Sequence, residues 1–502
     1  MQTQDNNQNT KTGREEKTDR LKKIELIKQM GINPYADKYD RKHTIADCLS
    51  LEIDSDVKTA GRIVLSRNMG KMGFCQIIDH SGKIQLVFKS GEIDSEEYKK
   101  FFKITDIGDF VGVEGKRYKT QKGEESILVK NFTFLSKALR PLPEKWHGLK
   151  DVETKYRKRY LDLISNRETF DRFKFKSDFI WEIRKFYKEN GFDEIQTPVL
   201  SNSASGALAK PFKTHYNALD LDVYLRIAPE IFLKEAIIGG FDKIFEVARV
   251  FRNEGMDASH LQEFDMIEHY CAYWDFHDNM DFTEKMLTTV ISKLKKDLKI
   301  KTYNRDEELI EVDLSLPWKK VSFRELLISD CGIDIDQYKS VEDLRKVIIE
   351  KNIKIDDIEK LGRGNLIDSL YKKVSRPKLI NPTFLTNHPL DLSPLARQNN
   401  QNNLIVDRFQ LVINGWEIVN AYSELIDPVD QKERFEKQMQ AKEAGDEEAM
   451  SKDDDYVEAM EYGMPPISGW GMGIERIVAL LTEQKNLRDV VLFPLLKPKE
   501  EK

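Results

Sequence analysis

The sequence predicts an α+β protein: a small five-stranded β-barrel, then a larger domain whose antiparallel sheet is flanked by helices and carries a helical insertion. Three observations lead there. Residues 58–135 alternate β-branched and aromatic residues with polar ones between turn signals such as HSGK at 80–83. LRPLPEKWHG at 139–148 breaks that pattern with two prolines and a glycine, which marks a linker. Beyond it, helical stretches alternate with strand-like pieces, and from about 318 to 376 Lys, Glu, Leu and Ile recur at helical spacing, the expected insertion.

Taken in order, residues 1–57 read as a disordered tail, MQTQDNNQNT, followed by a basic helix. The tail lacks the basic flank and apolar stretch of a secretory signal. The helix carries Lys11, Arg14, Lys17, Arg20, Lys22, Lys23 and Lys28 until GINPY at 31–35 stops it. It reads as a solvated surface helix, with a nucleic-acid arm as the sharper alternative. Residues 58–145 form the barrel, and short strands closed on themselves suit oligonucleotide binding, where aromatics stack bases. Arg67, Phe74 and Gln85 are the candidate contacts, although Phe74 also fits a core position.

Composition narrows the class. A chain of 502 residues is too long for one core, and 40% apolar with 33% charged residues describes a soluble globular protein. The longest apolar run, VVLFPLL at 490–496, is interrupted by Pro494 and falls short of the roughly 18 residues of a membrane span. Cys48, Cys75, Cys271 and Cys331 show no CxxC spacing, so neither a zinc site nor a disulfide framework is expected, and a reducing cytoplasm fits. A net charge of −6 argues against indiscriminate polyanion binding.

In residues 146–502, strand-like pieces recur at VYLRIA (223–228), KIFEVARVFR (243–252), EFDMIEHYCAYW (263–274) and FQLVINGWEIVNAYSEL (409–425), before a glycine-rich turn and helix, GWGMGIERIVALLTEQ (469–484). The second and third pieces pair as a hairpin holding many charges. Arg252 and Glu254 share one parity, and Phe264, Met266, Glu268 and Tyr270 share one face of the other strand. His269 falls on the opposite face and reads as structural. Such a face suits a ligand with anionic, cationic and flat parts, as ATP beside an amino acid has; the plainer alternative is an Arg252–Glu254 ion pair. Alternate glycines in GWGMGIER let backbone approach a ligand that Arg476 can reach. The stretch is not the dinucleotide fingerprint, and no GxxxxGK[ST] loop exists in the chain.

GFDEIQTP (191–198), FRNEG with HLQEF (251–264) and GMGIER (471–476) resemble the three signature motifs of class II aminoacyl-tRNA synthetases. NALDLDVYLRIAPEIFLK, SPLAR, EIVNAYSEL and RDVVLFP resemble the lysyl-tRNA synthetases, over roughly residues 20–497. The resemblance implies a class II synthetase catalytic domain after an oligonucleotide-binding, anticodon-recognition barrel, in which Arg67, Phe74, Gln85 and Asn131 meet tRNA(Lys). It implies ATP-dependent activation of L-lysine to lysyl-adenylate, then transfer to the 3'-terminal ribose of the tRNA. Arg252 and Arg476 are the implied catalytic residues. With Glu254, His260 and Phe264 they hold ATP, while Gly206, Glu230, Glu268, Tyr270, Asn420 and Glu424 hold lysine.

A desolvated ε-ammonium needs an anion, and Glu424 lies in an otherwise apolar stretch, where an aspartate-specific relative would need a cation. Mg2+ is the implied metal, on Glu417 and Gln410; the family usually has glutamate at the latter position. Ser205 replaces a family glycine, and Asn131 stands where glutamate is frequent. A cytoplasmic homodimer built through GFDEIQTPVL, without membrane attachment, is also implied. The alternatives are lysylation of a non-tRNA acceptor and a catalytically silent tRNA-binding regulatory protein. The barrel, the absence of a membrane domain, and the presence of Arg252, Glu424 and Arg476 speak against them.

Overall fold

A computed structural model of the chain describes residues 13–143, 149, 151–203, 206–207, 209–255, 257–295, 297–443 and 453–498. The expected disordered tail, the centre of the linker and Ser205 lie outside these residues. The chain divides into two compact units, Met1–Lys150 and Asp151–Lys502.

The first unit opens with α1 (Gly13–Gln29), with Glu15 and Glu16 in its first turn and Lys28 in its last, as the helix dipole favours. Gly31, at φ +73°, ends it. The helix is not wholly solvated as its charge suggested: Ile24 and Ile27 are buried, and Arg20 donates from Nη1 to the carbonyls of Ile107 and Ala138, both at 3.0 Å. The apolar residues, one turn apart, give it an inward face that its many lysines obscure.

Strands β1 (Asp56–Asn68), β2 (Met72–Ile78), β3 (Lys83–Lys89), β4 (Phe110–Lys119) and β5 (Glu125–Ser136) close a barrel in the order β1-β2-β3-β5-β4. It is not antiparallel throughout: β3 runs parallel to β5, with Leu86 opposite Ile127. An odd ring forces this, because alternating directions cannot be completed around five strands. Ile63, Cys75, Leu86, Val113 and Val129 fill the interior.

In the second unit an eight-stranded sheet runs β9-β10-β11-β12-β13-β8-β7-β6. Its members are β6 (Asp193–Glu194), β7 (Lys243–Phe251), β8 (Glu263–Ala272), β9 (Lys319–Ser322), β10 (Thr383–Pro389), β11 (Ile405–Ile413), β12 (Trp416–Ser423) and β13 (Ile467–Gly473). All neighbours are antiparallel except β7–β6 and β9–β10. Three expectations need correction. FQLVINGWEIVNAYSEL is two strands, joined at Asn414-Gly415, whose φ values of 52° and 68° suit a tight hairpin. GWGMG is strand, not turn. The insertion begins with edge strand β9 before its helices Phe323–Cys331, Val341–Glu350 and Arg363–Val374. The VYLRIA piece pairs in a separate three-stranded sheet.

Helices α2 (Arg167–Glu189) and α4 (Phe276–Lys295) supply Phe179, Ile183, Met286 and Val290 to the core on one sheet face, where Ile267 and Trp470 meet them. Period-two alternation sends His269 to this face as well. Tyr187 donates its hydroxyl hydrogen to His269 Nδ1 (2.7 Å), and His269 Nε2 faces Asn279 Oδ1 at 2.8 Å. Asn279 Nδ2 donates in turn to Ser468 Oγ (2.8 Å) and the Gly469 carbonyl (3.2 Å). Burial pushes the imidazole pKa down to about 3, so the ring is neutral. Asn279→Ala should strand His269 Nε2 at a cost of about 1–3 kcal/mol, which urea unfolding would register as an earlier midpoint.

Candidate active site

The opposite face of the sheet is a cleft. Even-numbered residues of β8 (Phe264, Met266, Glu268 and Tyr270) line it, and β13 lies alongside, with Gly471 opposite Glu268 and Gly469 opposite Tyr270. The glycines make room. A Cβ on Gly469 would overlap the Glu424 carboxylate and lie 2.5 Å from Tyr270 Cε1, while one on Gly471 would stand 3.5 Å from Glu268 Cγ. The resulting cavity, of about 280 Å³, gathers Gly206, Glu230, Glu268, Tyr270 and Asn420 with Arg252, Glu254, His260, Phe264, Glu417 and Arg476.

One end is built for cations. Glu230 opens helix α3 (Glu230–Ile238) and Glu424 follows β12, its carboxylate beside Gly469 and outside the cavity's lining; with Glu268 they are only 5%, 1% and 6% exposed. Lys234, fully buried one turn after Glu230, places Nζ 2.5 Å from Glu230 Oε1 and 2.5 Å from Glu424 Oε2. Tyr422 donates to Glu230 Oε1 (2.9 Å) and Tyr270 to Glu268 Oε2 (3.3 Å). Both Glu424 oxygens are buried without a well-formed hydrogen bond, and the Gly469 N–H also faces the carboxylate. Burial works against the Lys234 ammonium, yet Glu230 and Glu424 outweigh it and its pKa is raised. Burial raises the Glu424 carboxyl to about 8, with Lys234 opposing and Glu230 reinforcing. It carries Glu268 well above the usual carboxylate range, with Glu230 adding to the effect. Gly206, at φ +92°, packs against Glu230, where a Cβ would come within 3.2 Å of the glutamate's own Cβ.

The other end is built for anions. Arg252 sits just beyond β7, its guanidinium carbon 5.3 Å from the Phe264 ring, and has no carboxylate partner among the described residues. The alternative pairing with Glu254 is thus not formed. Its neighbours differ: Arg226 meets Glu246 at 2.7 Å, and Arg249 meets Asp265 at 2.8 Å. Arg476 donates from Nη1 to the Glu417 carbonyl (3.0 Å), and burial lowers its pKa. Glu254 is half-buried; His260 is exposed, with Nδ1 2.8 Å from Asp257 Oδ2. Arg408 donates to Asn420 Oδ1 (2.8 Å) and to the Leu392 carbonyl (2.8 Å), which fixes Asn420. Gln410, mostly buried, donates from Nε2 to Glu417 Oε2 (2.8 Å). Among the described residues, no three metal-ligating side chains cluster.

Lys234, Tyr422 and Arg408 were missed by sequence reasoning. Only the spacing of Glu230 and Lys234, four apart on a helix, could have hinted at the first.

On the barrel, Phe74 alternates away from the core and is half-exposed, directly opposite exposed Arg67. Gln85 lies two positions along the next strand from Val87, the partner of Phe74, and donates to Ser126 Oγ (3.0 Å). Exposed Asn131 stands farther along β5, opposite Glu114.

Residues 151–497 match the family described as tRNA synthetases class II (D, K and N), and residues 57–135 match the OB-fold nucleic acid binding domain. A lysine–tRNA ligase of Carboxydothermus hydrogenoformans is 45% identical over 484 residues, covering 96% of this chain and 98% of its own. One from Enterococcus faecalis is 43% identical, covering 95% and 96%, and one from Aquifex aeolicus 47%, covering 89% and 74%.

Gly469→Ala should destabilise the second unit by about 1–3 kcal/mol through overpacking, seen as a lower melting temperature. Gly471→Ala, in ordinary contact with Glu268 only, should melt close to the unsubstituted protein.

Proposed function

The chain belongs to the class II tRNA synthetases, and within them to the lysine–tRNA ligases; from that premise we propose that its cleft holds lysine and ATP end to end. It activates L-lysine with ATP and charges tRNA with the product. The observation that carries the assignment of the two ends is a charge balance. Glu230, Glu268 and Glu424 can carry three negative charges in contact, and Lys234, the cation paired with them, cancels one; the two that remain match the two ammonium groups of lysine, whose arrival would draw the protons off Glu268 and Glu424.

The ε-ammonium pairs with Glu424 beside Tyr270. The α-ammonium lies among Glu230, Glu268, Gly206 and Asn420, whose amide Arg408 holds in place. The lysine carboxylate reaches Arg252, which makes no ion pair among the described residues. Adenine stacks on Phe264 with Arg476 across its other face, and Glu254 and His260 steady the nucleotide. The lysine carboxylate is already ionised, so no general base is needed. One of its oxygens bonds to the α-phosphorus as the bond to pyrophosphate breaks, and Arg252 and Arg476 offset the charge that develops. The terminal ribose hydroxyl of the tRNA then attacks the carbonyl, AMP departs, and a phosphate oxygen of the adenylate takes the proton.

Mg2+ fits the donor set as an ion bound chiefly by the nucleotide's own phosphates, where it would neutralise charge and orient the leaving group. Glu417 is the carboxylate that would hold it, with Gln410 orienting Glu417. Arg67, Phe74, Gln85 and Asn131 meet the anticodon of tRNA(Lys). The chain works as a homodimer, consistent with exposed Trp181 (66%), Val199 (41%) and Leu200 (49%) around the first motif. Four free thiols suit a reducing cytoplasm, and among the described residues no helix is long and apolar enough to cross a membrane.

Exchange of pyrophosphate into ATP, assayed with each of the twenty amino acids, should depend on lysine; activation of a different amino acid in its place would overturn the assignment. Arg252→Ala should reduce that exchange by about a hundredfold or more and leave tRNA binding intact in a filter assay. Below its raised pKa, Glu424 is neutral and cannot balance an ammonium. The KM for lysine should therefore climb as pH falls below about 8, by up to about tenfold per unit, while the KM for ATP stays level.

A further inference from the structure

Helix α3 buries Lys234 completely, behind Glu230, which lines the cleft. Two carboxylates face its ammonium, Glu230 from its own helix and Glu424 from beyond β12, each at 2.5 Å. Three rings complete the enclosure: Tyr270 of β8, Tyr422 of β12 and Tyr456 of helix α5 (Asp454–Glu461), with centroids 5.9, 5.8 and 5.8 Å from Nζ. Other charged groups around it are Glu268, bonded to the Tyr270 hydroxyl, Arg252, whose charge acts on Glu268, and Arg408, bonded to Asn420 beside Tyr422. Carboxylates and tyrosine rings around an ammonium are the chemistry that recognises a free alkylammonium. The protein supplies from its own chain the kind of group its ligand carries.

We propose that Lys234 is a specificity-determining positioning residue, whose ammonium bridges Glu230 and Glu424 and cancels one of three negative charges, matching the cleft to an amino acid with two ammonium groups. This rests on the reading of the cleft as a lysine site. Without Lys234, three buried carboxylates would face two ligand ammonium groups. The surplus charge would draw a proton onto Glu230, Glu268 or Glu424, and whichever carboxyl took it would lose its hold on one end of lysine. The bridge also fixes geometry: Glu424 Oε2 is committed to Lys234, so Oε1, which lies beside the cavity-lining Gly469, is the oxygen left for the ε-ammonium.

The test is lysine-dependent ATP–pyrophosphate exchange measured from roughly pH 6 to 9 on Lys234→Met, Lys234→Arg and Glu424→Gln. Lys234→Met should raise the KM for lysine about tenfold or more and leave the KM for ATP near its original value. It should also move the acid limb of kcat/KM for lysine upward by about one pH unit, because its carboxyls have lost a cation. Lys234→Arg, which keeps the charge, should leave that limb in place. Lys234→Ala supplemented with propylammonium, which replaces the missing atoms and charge, should recover lysine affinity, whereas propanol should not. This arm carries the test even if the Met variant does not fold. An original lysine KM and an unshifted limb in Lys234→Met, or equal rescue by propanol, would overturn the proposal. Glu424→Gln separates the two readings: if it too leaves the lysine KM unchanged, the assignment of the lysine site fails; if it alone raises it, only the role of Lys234 does.

Discussion

Three carboxylates gathered in one nearly solvent-free pocket are the constraint around which the second unit is organised. A buried charge without a counter-charge destabilises a fold by several kcal/mol. Such a cluster persists only if the chain supplies cations and donors, or leaves the deficit for a ligand to fill. Here it does both. Lys234 and the tyrosine hydroxyls satisfy part of the demand, and the two ammonium groups of the proposed ligand would fill the rest. The glycines of β13 follow from the same constraint, since a side chain at 469 would occupy the space taken by Glu424 and Tyr270.

The sheet shows how one chemistry serves two ends. Arg226 and Arg249 are matched by acidic neighbours and act as fasteners between elements. Arg252, a few residues along, makes no ion pair among the described residues; it has an aromatic ring beneath it and the Ile227 carbonyl 3.5 Å from Nε. Residue type does not distinguish these arginines; what distinguishes them is whether the fold has already used their charge.

Much of this was legible in the sequence because it is local. The alternation of β8 placed Glu268 and Tyr270 on one face and His269 on the other, and the barrel strands announced themselves by the same period. What stayed hidden is either ambiguous or distant. Asn414-Gly415 is a strong hairpin signal, but apolar strands on both sides made it read as one run. Glycine at alternate positions looks like a turn until its neighbours across the sheet are known. Whether Phe74 lay inside or outside depended on register, which pattern alone left open. The sequence did not single out Lys234, because Glu424, which gives it a buried role, lies far along the chain. Arg408 and Tyr422 were invisible for the same reason: their partners come from other strands.

The parallel pairing of β3 with β5 is the shortest ladder in the barrel, with three matched positions from Gln85–Ser126 to Val87–Leu128. An odd ring has to place such a seam somewhere, and here it adjoins the strip carrying Arg67 and Phe74. A polynucleotide crossing β2, β3 and β5, as proposed, would act as a clasp on the shortest ladder of the ring. Occupancy and barrel rigidity would then be thermodynamically linked, and the module would be stiffest when engaged.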